Sequence, residues 1–138
     1  MSKRELLDDW EQRLFTFLNG VRSRGVEWGE FDCAVGLVAG AIKAQTGADL
    51  AALHIGKYGD QKEALRYMRD NQWDTPEALM DSFLTKAEKT RRGNIVLLTQ
   101  DNWTGFGVRV GATALAFGPN HGLREFSIVE GSPEWKVT

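Results

Sequence analysis

Trp28-Gly29-Glu30-Phe31-Asp32-Cys33-Ala34-Val35-Gly36-Leu37-Val38 is the stretch on which the fold of this chain turns. It holds the single cysteine, at the point where a glycine-bearing turn gives way to an apolar helix. A helix start leaves backbone N–H groups unpaired, and its dipole favours a thiolate. Asp32, directly before the thiol, suits the cap of such a helix. From Asp32 to Thr46 the pattern is apolar on nearly every side: Ala34, Val35, Leu37, Val38, Ala39, Ala41 and Ile42. That pattern predicts a helix buried on most faces, with Gly36 and Gly40 admitting close neighbours. Lys43 and Gln45 are its polar end, and Gly47 its stop.

Upstream, Leu6, Trp10, Leu14, Phe17 and Val21 recur at three- and four-residue spacing, which predicts an amphipathic helix over 5–19, ended by Asn19-Gly20. Arg22 to Phe31 is a polar connection. Downstream, one short helical turn fits within 48–59. Asp60-Gln61-Lys62-Glu63 has capping-box spacing ahead of the stripe Ala64, Leu65 and Met68. Thr75-Pro76 opens a further short helix. After Arg92-Gly93 the texture changes: Ile95-Val96-Leu97-Leu98 reads as a buried strand, and Phe106, Val108 and Val110 alternate at strand period. Turns are expected at Asp101-Asn102, at 111–113 and at Gly118-Pro119-Asn120-His121-Gly122. Strands follow over 114–117, 123–129 and 134–137. Helices followed by antiparallel strands make an α+β fold, and 138 residues without repeat or linker make one domain, 1–138.

Hydrophobic residues at 42% and charged residues at 26% are an ordinary globular balance. Seventeen basic against nineteen acidic residues, with no basic tract beyond a local cluster at Lys86, Lys89, Arg91 and Arg92, argue against nucleic acid as a partner. One cysteine excludes an internal disulfide and a thiolate-rich zinc site. Two histidines, His54 and His121, lie far apart in sequence, so no metal and no cofactor is expected. The first residues show no apolar signal segment, and no run is long enough to insert in a membrane.

Phe31-Asp32-Cys33 followed by Gly36-Leu37-Val38 resembles the nucleophile motif of the papain-like NlpC-type cell-wall peptidases. Ala34-Val35 stands where that family has one serine, an expansion by one residue. Arg92-Gly93-Asn94-Ile95-Val96-Leu97-Leu98 resembles its gly-asp-leu-val strand, and Gly105-Phe106-Gly107-Val108-Arg109-Val110-Gly111 its his-val-gly-ile-tyr-leu-gly strand. The resemblance runs from Trp28 to the C-terminus and is nearest a small branch found among phage tail-tip genes. It implies a papain-like fold, N-terminal helices with the Cys33 helix packed on a C-terminal antiparallel sheet. It also implies a degenerate triad. The family's base histidine falls on Gly105, and its orienting polar residue falls near Ala116 or Phe117.

A free thiol has a pKa near ~8.5, and Glu27, Glu30 and Asp32 oppose a second negative charge there. A general base is worth ~10²–10⁴ in rate. The resemblance therefore implies a tail-tip or baseplate assembly or structural protein of the virion tail. Its partners are other tail-tip proteins, and it has little or no hydrolase activity. The alternative is an active peptidoglycan endopeptidase with Cys33 as nucleophile and a relocated base, His121, oriented by Asn120. His121 lies roughly 10 Å beyond the position paired with Gly105 if the turn centres on 111–112. His54 is a weaker candidate, read as a turn or surface residue. Among the tryptophans, Trp10 and Trp135 read as core. Trp103 reads as a loop residue at the lip of the cleft, and Arg109 as facing solvent.

Overall fold

The apolar pattern of the first helix packs it against the Cys33 helix. Helix α1 spans Trp10–Val21 and buries Leu14, Leu18 and Val21. It starts later than the 5–19 expectation because residues 4–9 are held in other ways. Leu7 N–H donates to Gln45 O (2.8 Å), and the Arg4 guanidinium donates to the carbonyls of Val137 and Phe83. It runs past Asn19-Gly20 because Leu18 and Val21 still have core to bury against. The computed structural model describes residues 4–100, 103–117 and 122–138.

The predicted helix over 32–46 forms in two parts. Cys33–Val38 is a wide π-type turn, in which Leu37 N–H reaches back to Asp32 O (3.0 Å) and Ala39 N–H to Ala34 O. It continues directly into α2 (Ala39–Thr46), which ends at Gly47 in the left-handed region, φ 83°. A π turn holds one residue more per turn than α geometry and is the usual form of a single-residue insertion in a helix. Leu37, Val38, Ala41 and Ile42 are at most 3% exposed, so this segment is the centre of the core, as its apolar pattern requires. A Cβ on Gly36 would collide with the Phe31 ring, and one on Gly40 with the Phe17 ring. Gln45, expected at a polar helix end, is instead fully buried, its amide donating to Gly93 O (2.9 Å).

Helices α3 (Gln61–Asp70) and α4 (Pro76–Asp81) begin at their expected caps. Asp60 Oδ1 accepts from Glu63 N–H (2.7 Å), and Thr75 Oγ1 from Ala78 N–H (3.0 Å). The strands are β1 (Thr85–Lys86), β2 (Ile95–Gln100), β3 (Trp103–Arg109), β4 (Thr113–Phe117), β5 (Leu123–Ser127) and β6 (Glu134–Lys136). They form one antiparallel sheet in the order β1-β6-β2-β3-β4-β5. The mixture of helices and antiparallel sheet is α+β. The short β1 carries no periodic signal, and the expected turns at 101–102 and 118–121 lie outside the described residues.

The sheet's two faces are distinct. Ile95, Phe106, Val108, Leu115, Phe117 and Trp135 point to the helices and join the main core. Val96, Leu98, Ala114 and Ala116 point the other way, under Trp103, Phe126 and Ile128. Trp103 is therefore a strand residue stacked on Phe126 (5.1 Å between rings, 17°), on the face away from the helices, and not a loop residue over a cleft. Arg109 does not face solvent. Its guanidinium makes a bidentate pair with Glu134 (2.9 and 3.0 Å), both side chains 11% exposed, and Asn94 Nδ2 donates to the same carboxylate.

Candidate functional site

Asp32 organises the site. Its Oδ1 accepts from Ala34 and Val35 N–H, both at 2.9 Å, capping the π turn. Its Oδ2 accepts from Gly29 N–H (3.0 Å) and from the Tyr58 hydroxyl (2.7 Å). Each oxygen thus has two donors, and the residue is 2% exposed, so the cap predicted from sequence also ties two distant loops together. The second loop lies flush on the first: Gly56 N–H donates to Gly29 O (2.7 Å). A Cβ on Gly29, whose φ is +80°, would collide with Tyr58 O.

Cys33 follows, half-buried, on the wall of a cavity of about 300 Å³ between the Cys33 helix and the α3–α4 arm. Burial, and then the Asp32 charge, push its thiol from an ordinary 9.0 up to about 11, against the smaller opposing effect of the Phe106 and Cys33 backbone amides. The same two causes, burial and Asp32, raise the Tyr58 phenol. Tyr58 therefore stays a hydrogen-bond donor to the carboxylate at any physiological pH. Without a base, Cys33 is a neutral thiol, a poor nucleophile.

The residues expected to complete or to have lost the triad fall as follows. Val108 pairs with Leu115 and Arg109 with Ala114, the register expected for a turn at 111–112. Gly105 nevertheless faces the wrong way. A Cβ there would lie 2.7 Å from the Trp103 indole, on the sheet face opposite the helices. The alternation of β3 gives the helix side to Thr104 and Phe106, and Thr104, Gly105 and Phe106 all border the cavity. Ala116 likewise points to the far face, while Phe117 packs edge-on against Phe31 (5.5 Å). His121 and Asn120 lie outside the described residues.

His54 is a turn residue, half-buried on the cavity that holds Cys33. Its Nδ1 is 2.7 Å from the Tyr67 hydroxyl, and Trp73 and Phe83 meet its ring edge-on at 5.7 and 5.4 Å. Burial, with Lys57 adding to it, lowers its pKa, so it is a neutral imidazole at physiological pH. The aromatic wall of Tyr58, Tyr67, Trp73 and Phe83 is the part of the site that sequence reasoning missed. Its signals were the glycine-flanked Tyr58 and the stripe of α3, on which Tyr67 sits beside Ala64 and Met68. Among the described residues no group of three or more His, Cys, Asp or Glu could hold a metal, and no helix is long and apolar enough to cross a membrane.

Comparison with curated proteins and with solved structures gives no match. A family model described as a domain of unknown function, DUF6950, matches residues 5–137, the two helical thirds and the sheet alike. With the match covering nearly the whole chain, the protein belongs to the DUF6950 family.

Proposed function

We propose that this chain is a papain-like, NlpC-type domain serving as an assembly or structural component of a phage tail tip or baseplate, with little or no hydrolase activity. One observation carries the second half of this reading. The Cys33 thiol is held neutral by burial and by an adjacent carboxylate that is already committed to four hydrogen bonds. Asp32 has no lone pair to spare for a reacting group. Its role is to set the helix start and the Tyr58 loop. The wide turn at Cys33–Val38 accommodates the residue by which Ala34-Val35 exceeds the NlpC-type motif. The tail-tip setting rests on the sequence resemblance.

Two measurements test the proposal. Purified protein at neutral pH should leave peptidoglycan turbidity unchanged, with Cys33→Ser indistinguishable from the parent. Clearing that Cys33→Ser abolishes would sink the inactive reading. Mass spectrometry of purified virions should detect the chain, and Cys33→Ala should still be incorporated. Absence from particles would refute the structural role.

A second reading has a specific observation in its favour. Phe117 packs on Phe31, and Leu123 N–H donates to Arg22 O (2.8 Å), so both flanks of residues 118–121 border the loop leading to Cys33. In that reading His121 supplies the base for an active peptidoglycan endopeptidase. His121→Ala should then slow both clearing and thiol alkylation, whereas under the preferred reading it changes neither.

A further inference from the structure

The cavity beside Cys33 has an apolar rim as well as apolar walls. Six large hydrophobic side chains are exposed among the described residues. Two of them, Trp28 (39%) and Leu65 (53%), border the cavity. The bond between Gly56 N–H and Gly29 O brings the loop that follows His54 against the Trp28 loop, so Trp28 and Leu65 are the exposed apolar side chains that border the opening. A site for a small molecule alone has no use for bulky apolar groups outside its cavity. An apolar rim around an anchoring pocket is what a protein contact covers.

The cavity wall itself carries acidic charge. Apart from the saturated Asp32, Asp74 is the charged residue on the cavity wall, and no lysine or arginine lines it. Asp74 is exposed and makes no ion pair among the described residues, and neither does Glu30, which lies beside Gly56. Lys57 is the cation near enough to bear on His54. Asp74, on the wall and without an ion pair, favours an occupant with positive charge next to its apolar group.

We propose that this cleft docks a segment of a partner protein that inserts one bulky apolar side chain, leucine or phenylalanine, with a lysine or arginine beside it at Asp74. The inserted side chain lies between the Cys33 helix and the inner face of α3, against Tyr67, Met68 and Trp73. The proposal rests on the reading of the cleft as a binding rather than a hydrolytic site, and names the chemistry of the partner.

The test uses the full chain and short acetylated peptides in a serine–glycine background, with a central phenylalanine flanked by lysines. Calorimetry and the emission of Trp28 and Trp73 report binding. Changing the flanks to glutamate, or the centre to alanine, should each weaken binding about tenfold, equivalent to about 1.4 kcal/mol. Asp74→Lys, on an exposed side chain, should remove the preference for lysine flanks, and Leu65→Glu should weaken every peptide. Equal affinity for all the peptides, or no binding at millimolar concentration, overturns the proposal. So does phenethylamine binding as tightly as the peptide, or a dimer in sedimentation that covers the rim. Binding accompanied by cleavage of the peptide supports the docking and overturns the inactive reading instead.

Discussion

Alkylation of Cys33 measures the state of the site directly. With the thiol raised from 9.0 to about 11, the thiolate fraction below pH 9 is about a hundredfold smaller than for an unperturbed cysteine. Each thiolate is more nucleophilic because its conjugate acid is weaker. A Brønsted slope of 0.4–0.5 returns about eightfold of that loss. Iodoacetamide should therefore react with Cys33 about tenfold more slowly than with a free cysteine at pH 7.5, before any hindrance from half-burial. The rate should climb about tenfold per pH unit and still be rising at pH 10. Asp32→Asn removes the second cause of the shift while leaving one oxygen to cap Ala34 and Val35, so its rate at pH 8 should exceed the parent's. It should stay below that of free cysteine, since burial is the larger cause. A plateau at or below pH 8, or a neutral-pH rate above free cysteine, would show a thiolate paired with a cation and refute the reasoning.

The same shift makes stability depend on pH. The folded pKa is raised, so the contribution is present below pH 9 and lost as the pH rises to about 11. The urea-unfolding free energy of the parent should fall there by about 2 kcal/mol relative to Cys33→Ala. Asp32→Ala removes a cap and strands the Gly29 donor, and should cost about 3 kcal/mol in the same assay at pH 7. A loss under about 1 kcal/mol would mean that the four bonds do not hold the two loops. Arg109→Met alone should cost about 3 kcal/mol by leaving Glu134 unpaired at 11% exposure, whereas the double change with Glu134→Leu should recover most of it. Additive losses in that cycle would contradict a coupled pair.

What was legible in the chain followed the apolar pattern and the capping chemistry. Asp32, Asp60 and Thr75 each cap the helix their position suggested, because a short acceptor before an apolar run has a local partner at fixed spacing. Gly47 stops α2 for an equally local reason, its left-handed φ. The misreadings share a different cause. Trp103 reads as a loop residue at the cleft's lip, and Gly105 takes the family's histidine position by motif resemblance. Which face each occupies depends on the pleat, and a shift of one residue exchanges the faces. Arg109 was read as solvated because Glu134, its partner, is brought beside it only by β6 pairing with β2. Tyr58 reaches Asp32 across 26 residues of chain, and no local pattern foretells that bond.

The π turn fixes the place of the thiol independently of its chemistry. Each residue of an α-helix advances the direction of its side chains by about 100°. One extra residue in a straight helix would therefore swing either Cys33 off the sheet or Leu37, Ala41 and Ile42 out of the core. The bonds from Leu37 to Asp32 and from Ala39 to Ala34 confine the excess to one turn, so both ends keep their facing. Cys33 stays against the Phe106 amide and Ile42 stays 1% exposed. The four donors on Asp32 then fix where that turn begins. Position is thus secured by backbone bonds and core packing, none of which involves the sulfur's proton. Reactivity depends on a separate group, a base across the cleft, and the strand that faces the thiol offers Thr104 and Phe106 there. Nothing in the packing penalises a neutral thiol. The burial that seats Cys33 favours it.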